Sequence, residues 1–272
     1  MNNDKQKPNM KTPISYYGGK QSMLKEILPL IPEHDIYTAS FFGGGAVYWA
    51  KEPVKTEVVN DVNMNLVNFY RVLKHSYFDL VKKIGQTLHS RDTYKQAMVI
   101  YNCPWLFDDQ PVVRAWAFYV LTNQGFGCKI GTWGYDKSGR AFTIQNKIDA
   151  FVEDLSTRMK YTQIECNDAH KVMMSRDTET TFHYIDPPYI DTDQGHYGGY
   201  TEKHFRRDLE VISGLKGKFL LSTYPSDILS EYIKSNGWYT RSVDKVLSAS
   251  NGAKVKGKRR RKIEVLTANY PI

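Results

Sequence analysis

Cysteine is scarce in this chain: three in 272 residues, Cys103, Cys128 and Cys166, widely spaced and without a Cys-x-x-Cys pair. An odd, sparse set argues against a disulfide framework and a thiolate zinc site, and for a reducing compartment. The seven histidines show no ligand spacing, so no metal is expected. No apolar run approaches the roughly 18 residues of a membrane span. Residues 1–11 are polar and hold no apolar centre of a signal peptide. A soluble, cytoplasmic protein without a membrane partner is therefore expected. Internal repeats, long low-complexity tracts and phosphate-cradling Walker sequences are absent as well. Acidic residues are the minority charge, 29 against 37 basic, which gives +8 and a pI near 9.1. That excess favours a polyanionic partner, although charge speaks to partners and not to fold.

The remaining composition is that of a globular protein. The hydrophobic fraction is 41%, with aromatic residues spread along the chain, and the length suits one large or two modest domains. Residues 21–30 read as a helix. Residues 36–42 read as a strand ending in Gly43-Gly44-Gly45, 46–51 as the start of a helix, and 57–60 as a short strand. Residues 61–74 are amphipathic, with Leu66, Phe69, Tyr70 and Leu73 on one face. This order predicts a parallel sheet with right-handed crossovers. From 75 to 159 the pattern changes. Helical stretches at 77–88 and 112–123 flank a Gly- and aromatic-rich segment at 125–135, and 136–140 reads as a hairpin turn. Strands return at 162–166, 181–186 and 219–223, with helices at 202–215 and 225–236. Residues 239–246 and 261–269 read as a hairpin around a basic loop. The expected fold class is α/β: a doubly wound sheet from 1–74 and 160–272, interrupted at 75–159 by a mainly helical module that carries a β-hairpin.

The strand at 181–186 stops at Asp186-Pro187-Pro188-Tyr189. Proline fixes φ and removes a ladder donor, so the strand must end there. In an open α/β sheet the carboxyl ends of strands are where ligands sit. The motif supplies a carboxylate, a rigid turn with a spare backbone carbonyl, and an aromatic face. Those groups suit a planar nucleobase held by its exocyclic amine. Two acceptors pulling on the amine hydrogens localise a lone pair that is otherwise delocalised into the ring. The plainer reading is a Pro-rich loop at a strand end.

Other constellations support the sharper reading. Phe41-Phe42-Gly43-Gly44-Gly45-Ala46 closes the first strand, and glycines there let a ligand lie against the backbone. Asp61 follows Gly43 by 18 residues, at the end of the next strand, where an acidic residue accepts hydrogen bonds from ribose hydroxyls. With no phosphate cradle, the fitting ligand is a nucleoside with little or no phosphate; S-adenosylmethionine (SAM) suits this better than NAD. Asp168, after the strand at 162–166, either accepts from the cofactor's adenine amine or caps the helix that begins near Ala169. Tyr16-Tyr17-Gly18-Gly19-Lys20 is either a plain Gly turn or an aromatic and cationic lid near the cofactor's amino-acid end or the DNA. Seven cations crowd residues 254–262: Lys254, Lys256, Lys258, Arg259, Arg260, Arg261 and Lys262. So dense a block repels itself unless an anion is near, which favours phosphate binding over a solvated loop. In the inserted module, Trp133, Tyr135, Lys137 and Arg140 form a ribbon able to enter a groove, with Arg140 near its tip.

In this order the pieces resemble the Dam-like alpha-class DNA adenine-N6 methyltransferases. The matching residues are Tyr16 to Lys20, Phe41 to Val47, Asn60-Asp61-Val62-Asn63 with Asn68-Phe69-Tyr70, and Asp186 to Tyr189. Residues 219–223 resemble the strand that walls the target pocket, and 259–269 that family's basic C-terminal hairpin. The resemblance covers residue 12 to the end and is weakest at 75–160, where the family keeps its target-recognition domain. The family usually has an acidic residue and a proline before the Gly turn, whereas Ala39-Ser40 stands here.

The resemblance implies a Rossmann-like SAM-dependent methyltransferase acting on N6 of an adenine flipped out of double-stranded DNA, leaving S-adenosylhomocysteine and using no metal. Tyr189 would stack on the base, and Asp186 and the Pro187 carbonyl would accept its amino hydrogens, with Pro188 completing the turn. Phe42, Gly43, Gly44 and Gly45 would line the cofactor, with Tyr16, Tyr17, Lys20 and Asp186 beside it, Asp61 on its ribose and Asp168 on its adenine. DNA contacts would come from Asn123, Lys129, Trp133, Lys137 and Arg140, and from Lys256, Lys258, Arg259, Arg260 and Arg261. The host would be a bacterial or phage-infected cell, with or without a cognate restriction endonuclease. Transfer to cytosine N4 or to RNA, and a catalytically inactive DNA-binding relative, are the alternatives.

Overall fold

The computed structural model describes residues 10–135, 143–190, 199–246 and 261–272. The hairpin turn read at 136–140, with Lys137 and Arg140, lies outside the described residues, as do Lys256, Lys258, Arg259 and Arg260. The elements, in chain order, are α1 (Leu24–Ile27), β1 (Ile36–Ala39), α2 (Ala46–Ala50), β2 (Thr56–Asn60), α3 (Met64–His75), α4 (Tyr77–Gly85), α5 (Arg91–Asn102) and α6 (Pro111–Gln124). Then come α7 (Thr143–Asp149), α8 (Asp154–Met159), β3 (Gln163–Glu165), α9 (Ala169–Ser175), β4 (Thr181–Ile185), α10 (Glu202–Ser213), β5 (Lys218–Thr223), α11 (Asp227–Asn236), β6 (Tyr239–Val246) and β7 (Arg261–Ala268).

The strands form a seven-stranded sheet in the order β3-β2-β1-β4-β5-β7-β6. β1 pairs in parallel with both β2 and β4, and β4 in parallel with β5. The closing β6–β7 hairpin is antiparallel and adds to β5 through β7. The α/β class expected from the βα alternation is the architecture found. β4 is buried at every position, as a central parallel strand with both faces covered must be. His183 on it is satisfied inside the core: its Nδ1 lies 2.7 Å from the Thr38 hydroxyl and its Nε2 3.3 Å from Asp177. Between β1 and β4 the strand order reverses, and the carboxyl ends of such neighbours are where an open sheet offers a crevice.

The chain divides into two compact units. One comprises Met1–Leu24, Gly43–Pro53 and Asp61–Cys166; the other Lys25–Phe42, Val54–Asn60 and Asn167–Ile272. The first is helical around α3, α5 and α6, where Tyr94, Ala97, Val120 and Leu121 form an apolar cluster. Leu66, Phe69, Tyr70 and Leu73 of α3 are all buried, as the helical spacing requires. In the second unit, Ile185, Leu209, Phe219, Leu221 and Leu229 bury α10 and α11 against the sheet.

Some boundaries differ from those expected. Residues 21–30 are not one helix: 3-10 turns at Gln21–Met23 and Leu28–Leu30 flank α1, and Pro29 cannot donate in a continuing α-helix. α4 stops at Gly85 rather than running to 88, and β1 stops at Ala39, since Phe42 already bends to donate its N–H to Asn60. α5 has no counterpart in the sequence reading. Its buried stripe rests on Tyr94, Ala97 and Ile100, and alanine is a weak apolar signal. Among the described residues no helix is long and apolar enough to cross a membrane.

Candidate active site

The turn after β1 passes through two left-handed glycines, Gly43 at φ +49° and Gly45 at φ +67°. A side chain is strained in that region, and a Cβ on Gly43 would also stand 3.1 Å from the Tyr16 ring. Asp61, 2% exposed, holds this turn: its Oδ2 accepts the Gly43 N–H at 2.9 Å and its Oδ1 the Asn63 N–H at 2.9 Å. Asn63 in turn caps α3, accepting from the N–H groups of Asn65 and Leu66. Tyr70 donates its hydroxyl to the Gly43 carbonyl at 3.1 Å, and burial, with the Asp61 charge adding to it, pushes the Tyr70 phenol well up. A charged group thus fixes the glycine turn through backbone donors.

The Tyr16–Lys20 segment packs onto the same turn. Tyr16 is buried under Gly43 and Gly44, and Lys20, also buried, donates to the Gly18 carbonyl at 3.0 Å. Tyr17 is only half-buried and lies under the Lys129 ammonium, 4.9 Å from its ring centre. Asn123, at the end of α6, accepts the Ser15 N–H at 3.1 Å. Trp133 bridges antiparallel to Gly125, stacks on Tyr135, and carries the Arg91 guanidinium 5.1 Å from its ring centre. Tyr16, Tyr17, Lys20, Asn123 and Lys129 are therefore brought together in one unit.

In the second unit, β4 ends at Asp186 and the two prolines. Tyr189 folds back so that its hydroxyl lies 2.8 Å from Glu264 Oε1, and 3.2 Å from both Asp186 Oδ1 and Ser222 Oγ. Ser222 donates to the same Glu264 oxygen at 2.9 Å, and the Lys245 ammonium lies 3.7 Å from Oε2. The Tyr189 ring meets Tyr224 edge-on with centroids 4.4 Å apart, and the Lys262 ammonium sits 4.4 Å from the Tyr224 ring centre. Burial and the Asp186 and Glu264 charges hold the Tyr189 phenol well above its ordinary value, so it stays a donor. Asp168, nearby in sequence to β3, caps α9 by accepting from His170 and Lys171, one of the two roles weighed for it.

The model of the D12 class N6 adenine-specific DNA methyltransferases matches residues 16–247, most of the chain. The chain belongs to that family. Among relatives, the DNA N-6-adenine-methyltransferase of Escherichia phage P1 is 31% identical over 129 residues, 46% of this chain and 16% of that protein. Modification methylase StsI of Streptococcus sanguinis is 25% identical over 199 residues, 68% of this chain and 30% of that protein. The chain thus spans less than a third of these two relatives. The DNA adenine methylase of Escherichia coli (strain K12) is 19% identical over 273 residues and 94% of both chains. A SAM-dependent O-methyltransferase from Thermotoga maritima bears a loose likeness, with a TM-score of 0.36 and 10% identity over 98% of this chain and 68% of that one.

In this D12-class chain the match begins at Tyr16 and takes in the glycine turn, Asp61 and the Asp186–Tyr189 motif. The sequence reading did not single out Glu264, Tyr224 or the hydrogen bonds of Ser222. Glu264 alternates with apolar neighbours in an ordinary strand pattern, and its 3% exposure was the one unusual thing about it. Arg261, read as a phosphate contact, is exposed at the start of β7 and pairs with Asp244 at 2.8 Å. Among the described residues no three His, Cys, Asp or Glu side chains gather as a metal would need.

Proposed function

We propose that this D12-class chain methylates N6 of a specific adenine flipped out of duplex DNA, with SAM as donor. The observation that carries the reading is the end of β4, where a half-exposed carboxylate, a proline carbonyl and a ring pinned by its hydroxyl stand together. Asp186 and the Pro187 carbonyl accept the two amino hydrogens of the base, and the Tyr189 ring stacks on its face. Positioning and oriented acceptors supply most of the acceleration.

The residues at the strand ends fit SAM. Asp61 is aimed by two backbone N–H groups, the glycine turn presents bare backbone, and the buried Ser40 hydroxyl at the end of β1 has no hydrogen-bond partner among the described residues. SAM supplies an electrophilic methyl group carried on a sulfonium. Asp61 would hold its ribose and Ser40 would answer for the acidic residue usual at that place. Residues 75–159 would read the DNA, and the basic run would grip phosphates, offsetting the few kcal/mol of base flipping.

The test is expression of the parent and of Asp186→Ala in cells lacking adenine methylation, with mass spectrometry of digested DNA. N6-methyladenine from the parent alone is expected, with DNA binding kept by the variant. N4-methylcytosine instead would overturn the base assignment, and equal loss of binding and methylation would overturn the catalytic role of Asp186.

A further inference from the structure

Glu264 is a carboxylate at 3% exposure, in a hairpin strand distant in sequence from the glycine turn, Asp61 and the Asp186–Tyr189 motif. Burying such a charge is costly unless donors surround it. Here two hydroxyls, of Tyr189 and Ser222, converge on one of its oxygens, and an ammonium, of Lys245, on the other. The register explains the meeting. Ser222 pairs with Leu266, so Glu264, two residues on, shares its face of the sheet. Tyr184 pairs with Leu220, which puts Asp186 at the end of β4 on that face too. Lys245 pairs directly with Lys262, a like-charge pair that would repel. The two are drawn apart, one toward Glu264 and the other over Tyr224.

A phenol has one proton to give. Of the acceptors around Tyr189 Oη among the described residues, the Glu264 oxygen lies at 2.8 Å against 3.2 Å for Asp186 and for Ser222. The short contact to an ionised oxygen takes the proton. Tyr189 and Asp186 then touch without sharing it. Take Glu264 away and the next carboxylate in reach is Asp186. The phenol would turn its proton there, occupying an acceptor position on the oxygen pair that the substrate amine needs.

We propose that Glu264 is a positioning residue: it takes the Tyr189 proton, and so keeps the Asp186 carboxylate an acceptor for the exocyclic amine while pinning the ring. This rests on the reading of Asp186 and Tyr189 as the base-binding groups.

The experiment is a double-mutant cycle on the full chain, with kcat and KM measured on SAM and a duplex containing the site found by sequencing the parent's methylated DNA. E264A is expected to lower kcat about tenfold, with the KM for DNA changed less than about twofold. E264Q keeps an acceptor oxygen but not its charge, so its kcat should fall between those of the parent and E264A. In a Y189F background, where there is no proton to place, E264A should cost less than about twofold. An equal loss in both backgrounds would mean that Glu264 acts through packing alone and would overturn the proposal; so would an E264Q as slow as E264A at unchanged Tm. A crystal structure of E264A needs no activity. Tyr189 Oη should close to about 2.7 Å from Asp186, and an unmoved hydroxyl also overturns the proposal. A parent without methylation in cells would instead count against the function, and the crystal structure would still decide the hydrogen bond.

Discussion

At the turn after β1, a carboxylate is tied to backbone: Asp61 takes the N–H groups of Gly43 and Asn63. At the end of β4, the contacts run between side chains, Asp186 and Glu264 meeting Tyr189 and Ser222. The first arrangement is indifferent to which residues supply the donors, because every non-proline residue carries an N–H. The second depends on residue identity at four separated positions. A backbone-tied carboxylate shapes the chain, so its loss is felt as stability. On the proposed function Asp186 meets the substrate amine, so its loss is felt as turnover.

Asp186→Ala tests the second half of that contrast and has the largest expected effect. Turnover should vanish, while Tm moves by no more than about 2 °C, as for a half-exposed position; thermal scans beside the methylation assay measure both. Asp61→Ala tests the first half. It leaves two backbone donors without their charged acceptor, a cost of about 3 kcal/mol, so Tm should fall by several degrees and SAM affinity by calorimetry should drop with it. A Tm loss for Asp186→Ala as large as that for Asp61→Ala would erase the distinction. Gly43→Ala is a milder probe of the same turn. Its left-handed φ and the approach to the Tyr16 ring should cost about 1–2 kcal/mol, read in denaturant titrations.

The smallest effect concerns His183, midway along β4. Burial lowers its pKa from 6.5, against the opposing pull of the Asp177 hydrogen bond. A native state that resists the proton loses stability as pH falls, because the unfolded chain binds it first. Tm should therefore decline between about pH 7 and pH 5, and His183→Gln should flatten that slope. An unchanged slope would mean that other groups dominate the acid limb.

How much of this was legible beforehand follows the range of the interactions. The parallel strands, α3 with its apolar face, and the stop at Pro187 all follow from spacing within a dozen residues. Asp61 could be placed at a strand end, though not its grip on Gly43, 18 residues back. Asn123 looked like a DNA contact, and its bond to Ser15 spans 108 positions. Residues 21–30 misled because their apolar pattern is helical while Pro29 interrupts the ladder.

The sequence by itself determined the α/β alternation, the glycine turn and the chemistry available at Asp186-Pro187-Pro188-Tyr189, because periodicity and proline geometry are local. Only the tertiary structure decided which groups meet the Tyr189 hydroxyl. Ser222 stands 33 residues away and Glu264 stands 75 away, and the register of β7 on β5 brings them within 3.2 Å. A hydrogen bond acts over about 3 Å, so its partners are chosen by the sheet and not by the order of the chain.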